Sequence, residues 1–330
     1  MIVMGRNYYV FSSGRIRRRE NSILIEYQDR DGKQQKRFIP VENVDQIFFL
    51  GEVDLNSKFL DFAAKNNIVL HFFNYYGYYT GSFYPREKFL SGELLVRQVE
   101  HYLDNEKRLS LARKFVEGAI HNFKRNIEKR GFDIVSKISE YQERIKHVAT
   151  IPELMSCEAH ARKLYYSTWE DITDWPFEER SMQPPLNELN ALISFGNSLT
   201  YSVVLKELYH THLNPTVSYL HEPGTKRFSL ALDISEIFKP IFVDRIIFKL
   251  INLGKIKREN HFLQESNGVF LNDEGRRIFV EEFENMLQQT VLHRKLKRKV
   301  KYQSFIRLEA YKIIKHLLGE DEYKPFKVWW

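Results

Sequence analysis

Three hundred and thirty residues, 43% hydrophobic and 28% charged, are more than one compact domain usually needs and enough to bury a sizeable core. An aromatic share of 14% excludes a disordered chain, and the single cysteine, Cys157, excludes an intramolecular disulfide and any cysteine-rich zinc module. No apolar run reaches the roughly 18 to 20 residues of a membrane span, and residues 1–14 do not have the charged-then-apolar form of a leader, so a cytoplasmic protein with no membrane contact is expected.

Residues 1–87 read as a small β-domain. Short segments rich in aromatic and β-branched residues, at 8–11, 22–27, 37–39 and 46–50, are separated by the turn formers Ser12-Ser13-Gly14 and Asp29-Arg30-Asp31-Gly32. A first basic group, Arg15, Arg17, Arg18 and Arg19, falls on a strand or hairpin between them. One short helix is predicted over 57–66, with Ser57 as its cap and Phe59, Leu60, Phe62 and Ala63 on one face. Strands resume at 68–73 and 80–84.

From residue 93 to 330 the apolar period is helical. Leu95, Val99, Tyr102, Leu103, Leu111, Phe115, Ile120 and Phe123 mark a helical stretch over 94–129. Further helices are predicted over 152–170, 185–209, 235–253, 274–287 and 292–318, with prolines at their borders. The predicted fold is α+β and multidomain, a β-sheet or sandwich domain followed by a larger all-helical domain. Fifty Lys and Arg stand against 43 Asp and Glu, and the surplus is clustered. The run 294–301, with Arg294, Lys297 and Arg298, has six basic residues and no acid, and a second basic stretch spans 239–258. Each alone reads as a solvated face; three in one chain point to nucleic acid.

No glycine-rich phosphate loop, Gly-x-Ser-x-Gly elbow or His-Glu-x-x-His motif is present, which argues against nucleotide hydrolysis, serine hydrolysis and zincin proteolysis. Acids and a histidine remain. Glu158 sits at the edge of a stripe formed by Leu154, Cys157, Ala161 and Leu164, and either pairs with Arg162 four residues on or is free for other chemistry. His221 precedes a Pro-Gly turn, on a loop leaving apolar structure, where a buried and satisfied histidine is the plain alternative to a ligand. Asp233 and Glu236 flank the expected start of a helix at Ile234, as a capping pair or as two carboxylates facing one way, which repel unless a cation or proton lies between them. A glutamate, a histidine and a carboxylate together suit manganese or magnesium with open positions, and suit closed structural zinc poorly.

At these residues the chain resembles CRISPR-associated protein one, the integrase of CRISPR spacer acquisition, over nearly its whole length. The resemblance is carried by the opening Tyr8-Tyr9-Val10-Phe11-Ser12-Ser13-Gly14-Arg15, the Glu-Ala-x-Ala-Arg-x-x-Tyr-Tyr block at 158–166, the asparagine-rich helix at 187–199, the block from Asn214-Pro215 to Leu220-His221-Glu222, and 230–240 with Val243-Asp244-Arg245. The opening is most similar to the type I-B branch. Serine, cysteine and alanine stand around Glu158 where the family often has glycines, and Lys239 stands where it commonly has arginine.

The resemblance implies a divalent metal, manganese or magnesium, on Glu158, His221 and Glu236, with Asp233 a second acid of the catalytic set. It implies a homodimer through the β-domains, a partner in the small CRISPR-associated protein two, and transesterification in which a prespacer 3′-hydroxyl attacks a phosphodiester of the repeat in double-stranded DNA. Arg162, Lys239, Arg245, Arg294, Lys297 and Arg298 are the candidates to hold the DNA backbone. A stand-alone nuclease for branched DNA and a non-catalytic DNA-binding scaffold are the alternative readings.

Overall fold

The computed structural model describes residues 2–4, 7–29, 31–86, 89–224 and 228–329. Arg30 of the expected second turn and the expected domain edge at residue 87 lie outside the described residues. In chain order the first elements are β1 (Ile2–Met4), β2 (Asn7–Val10), β3 (Gly14–Arg19), β4 (Ser22–Gln28), β5 (Gln34–Pro40), β6 (Gln46–Phe49), β7 (Val53–Leu55), α1 (Ser57–Lys65), β8 (Val69–Phe73) and β9 (Tyr79–Phe83). They build a five-stranded sheet, β1-β2-β6-β8-β9, and a four-stranded one, β5-β4-β3-β7. In the first, β2, β6 and β8 are mutually parallel and the edge strands run antiparallel to them.

Side chains alternate across a strand, so each central strand serves two cores. Tyr8, Val10, Ile47, Phe49 and Leu70 point toward the four-stranded sheet and α1, packing with Ile16, Ile23, Ile25, Phe59 and Phe62. Tyr9, Phe48 and Phe73 point the other way, into the core of the helical part, where the Tyr9 and Phe48 rings stack at 4.5 Å. Burial on both faces is why the strands read as unbroken apolar runs. Asn56, one residue before the expected Ser57, caps α1, its Oδ1 accepting from the Phe59 N–H at 2.9 Å.

A buried polar seam joins this sheet to the helices. Asn7 Nδ2 and the Tyr9 hydroxyl donate to Glu284 Oε2 at 2.8 and 2.9 Å, and Gln46 Nε2 donates to Asn7 Oδ1 at 2.8 Å. His71 Nε2 donates to Gln46 Oε1 at 3.2 Å and His71 Nδ1 accepts from Ser82 Oγ at 2.7 Å, the arrangement a neutral imidazole requires.

The rest of the chain forms α2 (Gly92–Leu103), α3 (Asn105–Ile127), α4 (Ile134–Arg144), α5 (Ile151–Tyr166), α6 (Trp169–Thr173), α7 (Glu188–Tyr209), α8 (Ser229–Lys239), a π-helical turn (Pro240–Asp244), α9 (Arg245–Asn252), β10 (Phe262–Glu265), β11 (Gly268–Leu271), α10 (Asp273–Gln288), β12 (Thr290–Leu292), β13 (Lys299–Lys301) and α11 (Tyr302–Leu317). No helix among the described residues is long and apolar enough to cross a membrane. Helix α7 is buried on nearly every side, and at Gly196 a Cβ would come within 2.6 Å of Val243 Cγ1, so only glycine lets α7 pack against the π turn.

Further expectations change, and the helix expected over 152–170 is the pair α5 and α6. The stretch 94–129 is two helices, because the Asp104 carboxylate accepts the N–H groups of Glu106 and Lys107, both at 3.0 Å, and starts α3 afresh. Helix α4 was not expected; it buries Ile138 alone, too little for a stripe. The segment 292–318 is not one helix: β12 and β13 pair as a hairpin whose turn holds Lys297 at φ +52°, and α11 begins only at Tyr302. Helix α8 starts at Ser229 rather than after Asp233, with no side chain among the described residues capping it.

Burial, aided by the charge of Lys206, lowers the His71 pKa from 6.5 to about 3. Between those values the unfolded chain binds a proton at His71 that the folded chain excludes, so acidification destabilises the native state. Substituting His71→Gln should remove up to about 1.4 kcal/mol per pH unit from that slope. Urea melts at about pH 6 and about pH 4.5 check this, since an equal loss of stability in variant and wild type would place the His71 titration at its ordinary value.

Candidate active site

Helix α5 is fixed at its start by Thr150, whose Oγ1 accepts from the Glu153 N–H at 3.3 Å, with Pro152 in the first turn. Leu154, Cys157, Ala161 and Tyr165 are buried, and Glu158 and Arg162 follow the edge of that stripe, one turn apart. Arg162 makes the pair read from spacing, Nε to Glu158 Oε1 at 2.5 Å, and a second one that spacing did not show, Nη2 to Glu236 Oε2 at 2.9 Å. Its guanidinium also covers the Phe123 ring at 5.4 Å. The side chains of Glu158, Arg162 and Glu236 are 21%, 16% and 15% exposed, so water screens this bridge little. Lys239 adds a second cation on Glu236 Oε1. Burial raises the Glu236 carboxyl, but Lys239, Arg162 and His221 outweigh it and hold its pKa well below the usual range.

Asp233 is not a helix cap. It lies inside α8, is fully buried, and aims its carboxylate at the preceding loop. Oδ2 accepts the N–H groups of Tyr219 and Leu220 at 2.7 and 3.0 Å, and Oδ1 accepts the N–H and the Nδ1 of His221 at 3.0 and 2.8 Å. Burial lowers the His221 pKa, but the hydrogen bond and charge of Asp233, with Glu236 beyond, overcome it and raise the pKa overall. In the neutral ring the Asp233 bond keeps the proton on Nδ1 and leaves the Nε2 lone pair free. Asp233 and Glu236 therefore do not face one target: one shapes the loop, the other meets Arg162.

Glu158, His221 and Glu236 line a single cavity of about 220 Å3, together with Arg162 and Lys239. Three further members carried no assigned role in the sequence. Arg180 donates to Asn190 Oδ1 and Ser194 Oγ at 2.9 and 3.0 Å, Asn197 shares the lining, and Asp244 accepts from the Tyr165 hydroxyl at 3.0 Å. Burial raises the Asp244 pKa to about 7. The asparagine-rich stretch 187–199 was the one visible signal for this wall. Arg245 lies outside the cavity, bonded to Asn126 Oδ1 at 2.7 Å. Arg294, Lys297 and Arg298 are exposed on the β12–β13 hairpin, with Arg294 over the Trp329 ring at 5.1 Å.

Two carboxylates and an imidazole with a free Nε2 make a donor set that fits manganese or magnesium. Among the described residues, however, no three His, Cys, Asp or Glu side chains converge closely enough to hold an ion. The guanidinium of Arg162 stands between the two glutamates, so the repulsion expected of bare carboxylates is already relieved by a cation of the chain itself.

Substituting Arg162→Met should destabilise the metal-free protein by roughly 3 kcal/mol, because two half-buried carboxylates lose their counter-ion. Manganese should then raise the melting temperature of the variant more than that of wild type. Equal shifts in a thermal melt would mean that Arg162 does not substitute for the ion. Asp233→Asn, which turns an amide toward backbone donors, should lower the melting temperature more than Glu158→Gln does.

Residues 8–285 match the family model described as CRISPR associated protein Cas1. CRISPR-associated endonuclease Cas1 2 of Moorella thermoacetica is 60% identical over 326 residues, which are 98% of this chain and 100% of that one. CRISPR-associated endonuclease Cas1 of Pyrococcus horikoshii is 45% identical over 322 residues, 97% of this chain and 98% of that one. A solved CAS1 protein from Thermotoga maritima has a TM-score of 0.87 at 42% identity, covering 96% of this chain and 98% of its own. A casposase bound to integration product shares the fold alone, with a TM-score of 0.88 at 21% identity over 98% of this chain and 93% of that one. Matched end to end by such relatives, this chain belongs to the Cas1 family of CRISPR-associated proteins.

Proposed function

We propose that this chain is the metal-dependent DNA integrase and endonuclease of CRISPR spacer acquisition, joining prespacer 3′-hydroxyl ends to the CRISPR repeat. The observation that carries this reading is the one cavity that gathers Glu158, His221 and Glu236 with Arg162 and Lys239 in a chain of this family. Glu158, His221 and Glu236 would hold the manganese or magnesium, which would supply Lewis-acid charge and lower the pKa of a nearby hydroxyl.

The chain's own residues do the rest. Asp233 holds the Nδ1 proton of His221, so the ring cannot turn its lone pair away from the cavity. Arg162 and Lys239 are placed to neutralise charge building on phosphate oxygens once they release the glutamates. The half-buried setting strengthens each of these interactions relative to water. The reaction exchanges one phosphodiester for another, and with water as the nucleophile the same cavity cleaves DNA. Arg294, Lys297 and Arg298 hold DNA backbone without reading bases. Residues 1–87 carry the homodimer contact and residues 93–330 the chemistry, and double-stranded DNA and CRISPR-associated protein two are the partners this reading requires.

Incubation of the protein and its partner with fork-ended DNA, a supercoiled repeat plasmid and manganese should give joined products. Glu158→Ala, His221→Ala and Glu236→Ala should each lower the joining rate at least about a hundredfold while the circular dichroism spectrum stays native. A wild-type rate in any one of them removes that residue from the site.

A further inference from the structure

The turn between β8 and β9 reaches from the five-stranded sheet toward the wall of the cavity that gathers Glu158, His221 and Glu236. Asn74 builds it: its Oδ1 accepts the N–H groups of Tyr76 and Tyr78, both at 3.0 Å, and its carbonyl accepts that of Gly77 at 2.9 Å. Gly77 has φ +79°, and a Cβ there would come within 2.8 Å of the Phe195 ring, so glycine lets the turn sit against α7. Arg276 of α10, itself buried, donates Nη1 to the Tyr75 carbonyl at 2.7 Å. Tyr76 and Tyr78 both meet Phe270 of β11, with ring centroids at 4.3 and 6.5 Å. Held by α7, α10 and β11 together, the turn is a stiff support.

What it supports is the chain between α6 and α7. The Tyr78 hydroxyl donates to the Met182 carbonyl at 3.0 Å, across 104 positions. Met182 and Arg180 both line the cavity of the acids. On either side of Met182 the chain is tied elsewhere. The Ser181 N–H donates to Asn190 Oδ1 at 3.1 Å, the Leu186 N–H donates to Ser181 Oγ at 2.8 Å, and the Pro185 carbonyl accepts from the Val269 N–H at 2.9 Å. These ties come from α7, from the chain itself and from β11; the Tyr78 bond brings in the five-stranded sheet. Arg180 donates to neutral oxygens of Ser181, Asn190 and Ser194, so the path of this chain sets where its guanidinium lies.

We propose that Tyr78 is a positioning residue for strand transfer: its hydroxyl, carried on the β8–β9 turn, fixes Met182 and with it the Arg180 side of the cavity. The inference rests on the integrase reading and adds to it a residue outside the cavity lining. Tyr78 acts through the wall, not on the reacting atoms. A displacement of about 1 Å in such a wall can cost on the order of a hundredfold in rate. One hydroxyl lost from a chain with other ties moves it less, so the expected loss is about three- to tenfold. A wall that serves the transition state changes kcat and leaves KM where it was. If the bond served stability alone, the melting temperature would fall and the rate per folded molecule would not.

The test is Tyr78→Phe in the full chain with CRISPR-associated protein two; the ring stays against Phe270 and only the hydroxyl goes. Joining of fork-ended DNA is measured with manganese across a range of repeat-plasmid concentrations. The kcat should fall about three- to tenfold at an unchanged KM. Hydrogen exchange at the Ser181 and Leu186 amides should quicken, since the chain they belong to has lost a tie. Tyr76→Phe, which removes a hydroxyl from the same turn that faces Glu265 instead, should join DNA at the wild-type rate. A wild-type kcat in Tyr78→Phe, a raised KM at constant kcat, unchanged exchange at both amides, or an equal loss in Tyr76→Phe overturns the positioning role. Each leaves the integrase reading intact, because the wild-type protein joins DNA in the same assay. Failure of the wild-type protein to join DNA overturns the integrase reading and this role with it.

Discussion

The helical half of the molecule depends on one buried carboxylate. Asp233 carries a charge into the core, which is tolerable because four hydrogen bonds converge on its two oxygens. Three of them come from consecutive backbone N–H groups, so the loop that carries His221 can take only one path over α8. The imidazole is then placed by the same oxygen that orders its own backbone. Glu236, three residues further along α8, needs no additional device to reach the same cavity.

Around that anchor the cavity keeps its own charge balance. Glu158 and Glu236 are matched by Arg162 and Lys239, and Asp244, pushed up to about 7 by burial, adds a carboxyl held by the Tyr165 hydroxyl. An ion entering this cavity meets an occupied arrangement rather than two bare acids. It would have to displace a guanidinium from between them.

What was legible in the sequence follows from which interactions are local. The central strands were readable because burial on both faces leaves no polar residue to interrupt 47–50. The Glu158–Arg162 pair was readable because it spans one helical turn, whereas the bond from Arg162 to Glu236 crosses 74 positions and leaves no pattern. Capping stood as one of two readings of Asp233 because α8 begins at Ser229 with no capping side chain among the described residues, so the nearest acid stood in for the missing signal. The β12–β13 hairpin was hidden because strands of three residues are too short to show alternation, and six basic residues fit a helix face equally well. Asp244 gains its place from a tyrosine 79 positions away, and Arg180 from Asn190 and Ser194 across an irregular loop that carries no periodic signal.

The sheet shared by two cores has a mechanical consequence. There is no compliant layer between the outer four-stranded sheet and the helices, since β2 and β6 present apolar side chains to both. A torque applied to the outer sheet passes through Asn7 and Tyr9 to Glu284 on α10 with almost no slack. The β-layer thus acts as a rigid lever arm, and whatever grips its far face sets the orientation of the helices that carry the acids.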